Sequence, residues 1–298
     1  MKRPSILILM CILLLGLMAC QITLPQIGQQ PLPTLPLETQ TPTAEEPGAT
    51  PPPMETPTEE PATATATSLP PTPTLDAMLD SSRLVLESRT HTAEDASQPG
   101  FRFEVTFPVF TAPEDERLAR FNSDVEDIVN NLEANFRQDA LAIPYDPNFG
   151  TNQSFLEVQY EALYFERGVI SIFFDINFYM SGAAHPNSYS LVLNYDLLEG
   201  TRLSLVDLFT PGSDYLQALS DYCMAALADE GRLEFPGGAL PDAVNYQSWN
   251  LTPGGLRVNF DPYQVGPYAM GAQTVTVPYA DLAGILRSDG VMGRVTAP

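Results

Sequence analysis

The chain has 298 residues and a formal net charge of −23, with 14 Lys and Arg against 37 Asp and Glu. Such an acid excess excludes nucleic acid and anionic lipid surfaces as natural partners, and leaves solubility or attraction of a cationic partner as its meaning. Of the three cysteines, Cys11 and Cys20 fall at the amino end, so the globular part holds Cys223 alone and no intrachain disulfide.

In chain order, Lys2 and Arg3 precede an apolar run from Ile6 to Met18, which has the length of a signal-peptide core rather than of a membrane span. Its end, Leu17-Met18-Ala19-Cys20, resembles the bacterial lipoprotein processing site. That resemblance implies removal of residues 1–19 and acylation of Cys20. Multiple acyl chains hold a protein to a membrane where one chain is marginal. Residues 20–75 are Pro- and Thr-rich with few aromatics, a composition that cannot bury enough apolar area to offset chain entropy. They are predicted to form a disordered tether. At about 3.1 Å per residue in polyproline II it would reach on the order of 150 Å. Whether its threonines carry sugars is not legible.

Residues 76–298 are predicted to be globular, in two halves of about 100–166 and 167–287. A short helix or lead-in over Met78–Ser88 and a polar loop to Gly100 come first. Phe101, Phe103, Val105 and Phe107 alternate with polar residues as a half-buried strand ended by Pro108. Thr111 and Glu114 have capping-box spacing, with Pro113 in the first turn. Leu118, Phe121, Val125, Ile128, Leu132 and Phe136 then form the apolar stripe of a helix of about seven turns. Asp146, Asn148, Asn152, Ser154 and Glu157 have spacings of a calcium-loop kind, but glycine sits one place early and a proline interrupts, so turn chemistry is the simpler reading. Strand patterns follow over Leu156–Tyr164, Ile170–Phe178 and Tyr189–Tyr195. Glu166-Arg167-Gly168 turns the first pair, and Ser181-Gly182-Ala183-Ala184-His185-Pro186-Asn187 links the second.

After a turn at Glu199-Gly200, Ser213 is placed to cap a helix whose stripe is Leu216, Leu219, Cys223 and Leu227. Cys223 on that stripe is a small core residue. Trp249 and Leu251, then Leu256, Val258 and Phe260, then Val275 and Val277 read as three short strands. A loop carrying Tyr263 and Tyr268 separates the last two, a short helix starts at Pro278, and the tail after Asp289 reads as frayed. The sum is an α+β domain, an antiparallel sheet with two or three helices packed on one face.

The order Tyr179–His185 (YMSGAAH), Tyr195–Gly200, Leu205–Phe209 (LVDLF) and Phe260–Gly271 (FDPYQVGPYAMG) resembles the RsiV-like extracytoplasmic domain over residues 100–286. Ala183 stands where that family usually carries a second glycine. The domain occurs in some anti-sigma factors, where it receives lysozyme, and ahead of the catalytic domain in PdaC-type peptidoglycan deacetylases. What the resemblance implies is binding: a lipid-anchored module outside the cell membrane for a cationic cell-wall lytic protein or for peptidoglycan, with no cofactor.

No reaction is legible. The chain has two histidines, His91 and His185, and His91 is placed in the polar loop before the first strand, so no converging ligand set suggests a metal. Ser181 lacks a nucleophile-elbow context. Paired carboxylates for glycoside chemistry stay open, because their separation is not readable from sequence. His185 is either a turn residue bonded to backbone or a ligand contact. Tyr263 and Tyr268 are either loop packing or an aromatic face for protein or glycan, and Asn187 is grouped with them as a candidate contact. A wall hydrolase using carboxylates and a structural envelope lipoprotein are the alternatives.

Overall fold

The computed structural model describes residues 80–148 and 153–297. The predicted signal peptide, Cys20 and the tether lie outside them, as do Met78 and Asn152. In order the elements are β1 (Val85–Asp95), β2 (Gly100–Ala112), α1 (Glu116–Ala142), β3 (Gln153–Glu166), β4 (Val169–Tyr179), β5 (Asn187–Asp196), β6 (Thr201–Arg202), α2 (Tyr215–Asp229), β7 (Trp249–Thr252), β8 (Gly255–Phe260), β9 (Gln273–Pro278), α3 (Tyr279–Leu282) and α4 (Gly290–Val295). Strands β1 to β6 form one sheet in sequence order, and β7 to β9 form a second. All pairs are antiparallel except β2–β3, which run parallel because α1 intervenes between them. The α+β class and the antiparallel-rich pairing are those expected.

Alternation explains the layering. On β4, Ile170, Ile172, Phe174 and Ile176 join Phe101, Phe103 and Val105 of β2 and the α1 stripe in one core. Seven α1 side chains are buried there, Leu118, Phe121, Val125, Ile128, Val129, Phe136 and Ala140. Full burial of each larger one stabilises by about 1.5–3 kcal/mol. The opposite face of β4 turns Val169 and Ser171 toward the second sheet. Leu256, Val258 and Phe260 of β8, with Val275 and Val277 of β9, pack with Leu219, Cys223 and Leu227 of α2 in a second core. Cys223 is fully buried there, and burial pushes its thiol up to about 12, which leaves it protonated and inert.

The seam between the sheets is polar. Ser171 Oγ donates to Asn194 Oδ1 at 2.5 Å and accepts from Asn250 Nδ2 and Leu251 N, both at 3.0 Å. Asn250 Nδ2 also reaches the Ile172 carbonyl at 3.0 Å, and Asn194 Nδ2 donates to the Trp249 carbonyl at 2.8 Å. Asn259 Nδ2 donates to Asn250 Oδ1 at 3.0 Å and to Ser248 Oγ at 3.2 Å. Buried polar groups so fully paired fix one register between layers.

Several local expectations are corrected. Met78–Ser88 holds no helix over its described residues: a single 3₁₀ turn, Ser81–Arg83, leads into β1. The polar loop to Gly100 is largely the edge strand β1, so His91 sits in a strand. There its ring lies 5.9 Å from Phe103, and its Nε2 is 2.6 Å from Glu133 of α1. Strand β2 runs through Pro108 to Ala112. Beyond Val105 it pairs with β1 alone, and proline is tolerated in a strand with one open side. Helix α1 is capped by Asp115, whose carboxylate accepts from Arg117 N at 2.8 Å, not by Thr111 with Glu114. Asp214 rather than Ser213 occupies the N-cap position of α2. The tail after Asp289 contains α4, held by Arg167, whose Nη1 donates to the carbonyls of Arg294 (2.7 Å) and Ala297 (2.6 Å). The calcium-type spacings are spent locally: Asp146 accepts from Asn148 N at 2.8 Å, Ser154 is buried, and Glu157 pairs with Arg102.

Candidate functional site

The link between β4 and β5 turns at Gly182, whose φ is +85°. Ala183 N donates to the Met180 carbonyl at 2.9 Å, and Ser181 N to Ser154 Oγ at 3.0 Å. Ala183 is not in the left-handed region, so one glycine suffices there. His185 projects from this turn and is exposed. Its Nδ1 lies 2.7 Å from the Pro186 carbonyl. A carbonyl only accepts, so Nδ1 carries the proton. The turn reading of His185 and its exposure therefore coexist.

The same carbonyl accepts the Tyr268 hydroxyl at 2.7 Å. The His185 and Tyr268 rings stack, centroids 4.3 Å apart and planes 28° apart. Tyr263 stands next to them, 5.5 Å from Tyr268 at 30°. Residues far apart in sequence thus form one ladder of three rings. Asn187, at the start of β5, accepts from Ser188 N on its Oδ1 at 2.9 Å, which leaves its amide nitrogen without a protein partner among the described residues. Tyr263 is 54% exposed and has φ +72°. A bulky side chain in the left-handed region costs on the order of 1 kcal/mol or more.

The 261–271 loop is clamped on both sides. Gln264 Nε2 donates to the carbonyls of Gly238 (2.9 Å) and Asn245 (3.0 Å). A Cβ on Gly238 would lie 1.9 Å from the Gln264 carbonyl oxygen, so only glycine admits this approach. Phe235, Leu240 and Val244 are 43%, 49% and 52% exposed on the segment so clamped. Their only sequence signal is large apolar side chains among the glycines and prolines of residues 231–246.

Asp261 is a second residue the sequence did not single out. Its Oδ1 accepts from Ser190 N (2.8 Å) and Ser190 Oγ (2.7 Å), and Ser190 Oγ meets Ser248 Oγ at 2.7 Å. The polar seam therefore runs to the base of the aromatic loop. Burial, offset by the Ser190 hydrogen bonds and reinforced by the Asp175 charge, raises the Asp261 carboxyl above its ordinary range. Burial and then the Asp261 charge push the neighbouring Tyr189 phenol up to about 12. Asp175 faces Ser190 across β4–β5.

Two open depressions lie elsewhere: a groove of about 480 Å³ bordered by Phe110, Pro113 and Leu118, and one of about 200 Å³ beside His91 and Glu126. Among the described residues no three His, Cys, Asp or Glu side chains group to hold a metal ion, and no helix is long and apolar enough to cross a membrane.

Comparison with known proteins places part of this architecture. Residues 206–280, which run through α2, β7–β9 and the Tyr263–Tyr268 loop, match the family described as protein of unknown function (DUF3298). Over 195 residues the chain is 26% identical to peptidoglycan-N-acetylmuramic acid deacetylase PdaC of Bacillus subtilis, covering 63% of this chain and 39% of that protein. The chain thus spans about two fifths of that relative's length. Crystal structures of DUF3298 family proteins from Bacteroides fragilis (TM-score 0.51, 17% identity, 72% of this chain and 98% of that one) and Pseudomonas aeruginosa (TM-score 0.52, 17% identity, 70% and 96%) share the fold.

Proposed function

We propose that the protein is a lipid-anchored extracytoplasmic binding module, held through Cys20, whose contact surface is the end of the domain built by the 181–187 and 261–271 loops. The ligand is related to the cell wall, either its glycan or a cationic wall-lytic protein of lysozyme type. One observation carries this reading: half-buried Tyr268 stacks on exposed His185, both bond the Pro186 carbonyl, and the exposed ring of Tyr263 leans against Tyr268. Rigid aromatic rings give contact area at small entropic cost, which suits them to recognition. The similarity to a peptidoglycan deacetylase and the resemblance of the two loop motifs to the RsiV-like domain support a wall ligand, and the leader pattern supports the anchor. Co-sedimentation of the full chain with purified cell walls, and its titration with lysozyme at low and raised salt, test the reading. Replacing both His185 and Tyr268 by Ala should cut retention or binding at least tenfold. Unchanged retention and binding would refute it.

A second reading has its own observation, the raised carboxyl of Asp261 beside Asp175. Such a pair has the character of a general acid with a charged partner in glycoside cleavage. It predicts that Asp261→Asn and Asp175→Asn abolish release of soluble fragments from walls. Absence of any release by the unaltered chain would remove it.

A further inference from the structure

We infer that the ring of Tyr263, backed by Tyr268 and His185, is a stacking platform for one pyranose ring of a neutral oligosaccharide. The inference rests on the reading that this end of the domain is the binding face, and it selects the ligand class.

The backbone gives the first argument. Tyr263 occupies a left-handed conformation (φ +72°) that glycine would adopt without strain. Such strain persists where surrounding structure imposes it, and it concentrates at ligand clamps. Burial does not repay it, since more than half of the side chain is exposed. Gln264, next in the chain, is fixed by its amide to two carbonyls of the 238–245 segment, so the loop cannot relax to release its neighbour.

Ring geometry gives the second. The planes of Tyr263 and Tyr268 differ by 30°, and those of Tyr268 and His185 by 28°. Tyr268, itself stacked on His185, backs the Tyr263 ring at a tilt, and an exposed aromatic face of this kind matches the apolar C–H face of a pyranose. Polar groups for ring hydroxyls stand at the same end: the imidazole of exposed His185 and the amide nitrogen of Asn187, a donor.

Charge gives the third. Residues 180–190 and 260–271 contain no Lys or Arg, and Asp261 lies at their base. A phosphorylated or carboxylated polymer would meet no cation on either loop and would face a chain of net charge −23. The sugar is therefore neutral.

The test is calorimetric titration of the full chain with an N-acetylglucosamine tetramer, with poly(glycerol phosphate) as the anionic probe, alongside thermal unfolding. The neutral oligomer should bind and the anionic polymer should not. Tyr263→Gly should weaken oligomer binding about tenfold or more while raising Tm, because the substitution relieves the backbone. Tyr268→Phe, which keeps the ring but loses the hydroxyl bond to Pro186, should weaken binding less than Tyr263→Gly. A lowered Tm for Tyr263→Gly would overturn the strain argument, and preference for the anionic probe would overturn the ligand class. If the unaltered chain ignores the oligomer yet Tyr263→Gly still impairs retention on intact walls or capture of a protein partner, the sugar inference falls and the binding face stands. If neither sugar nor wall nor protein binding depends on this end, both fall.

Discussion

Replacing Asn250 by Ala removes the centre of the seam that joins the two sheets. Asn250 is fully buried and makes three hydrogen bonds of 3.0 Å, to Ser171 Oγ, to the Ile172 carbonyl and from Asn259 Nδ2. At about 1 kcal/mol net per bond, and with the Asn259 amide keeping its bond to Ser248 Oγ, the loss comes to about 3 kcal/mol. For a domain of this size each kcal/mol moves Tm by about 2–4 °C, so a fall on the order of 10 °C is expected. The single tryptophan, Trp249, is 4% exposed and receives Asn194 on its carbonyl, so its fluorescence reports the seam in a urea titration. An Asn250→Ala variant that loses less than about 1 kcal/mol, or whose Trp249 signal and circular dichroism unfold as in the parent, would refute the view that this network holds the layers.

Other outcomes follow from single contacts. Asp115→Ala should cost about 1 kcal/mol through loss of the α1 cap. The hydrogen bonds and charge of Arg117 hold the Asp115 carboxyl below its ordinary 3.8, so this stability is present above that pH and is lost as pH falls through the folded value. Urea titrations of parent and variant should converge in acid. Asp261 has the opposite sign: its folded pKa is raised above 3.8, so its contribution is full below that value and is lost as pH rises through the folded one. The Asp261→Asn variant should therefore gain stability relative to the parent on going from pH 3 to pH 7, and a constant difference would contradict the burial argument. Arg167→Ala should speed amide exchange in α4 by about tenfold or more, because charge-assisted bonds to the Arg294 carbonyl and to Ala297 just beyond the helix disappear. Unchanged protection there would show that α4 is held by its apolar contacts and the Arg294–Asp196 ion pair.

How much was legible depends on how each segment is buried. β4 and β2 carry aromatic and branched residues on one face and could be read from their period of two. The α1 stripe was equally plain, since its Leu118, Phe121, Val125, Ile128 and Phe136 are buried as expected. β1 was missed because an edge strand needs little apolar surface: of Val85–Asp95 no residue is fully buried. That error placed His91 in a loop. Periodicity identifies strands but not their partners, so neither the parallel β2–β3 pair nor the split into two sheets was readable. The seam was hidden for the same reason, as Ser171, Asn194 and Asn250 look like exposed polar positions until the second sheet covers them. At the candidate site, His185, Asn187, Tyr263 and Tyr268 were chosen as residue types suited to contact. Only topology shows that Tyr268 reaches Pro186, and only the backbone shows the conformation of Tyr263.

The binding face is tested most directly by oxidative footprinting of the full chain on purified cell walls, read by mass spectrometry at each aromatic side chain. Tyr263, Tyr268 and His185 should become protected together on binding, with residues of the Phe110–Leu118 groove unchanged. Protection confined to that groove, with Tyr263 oxidised as fast as in the free protein, would contradict it.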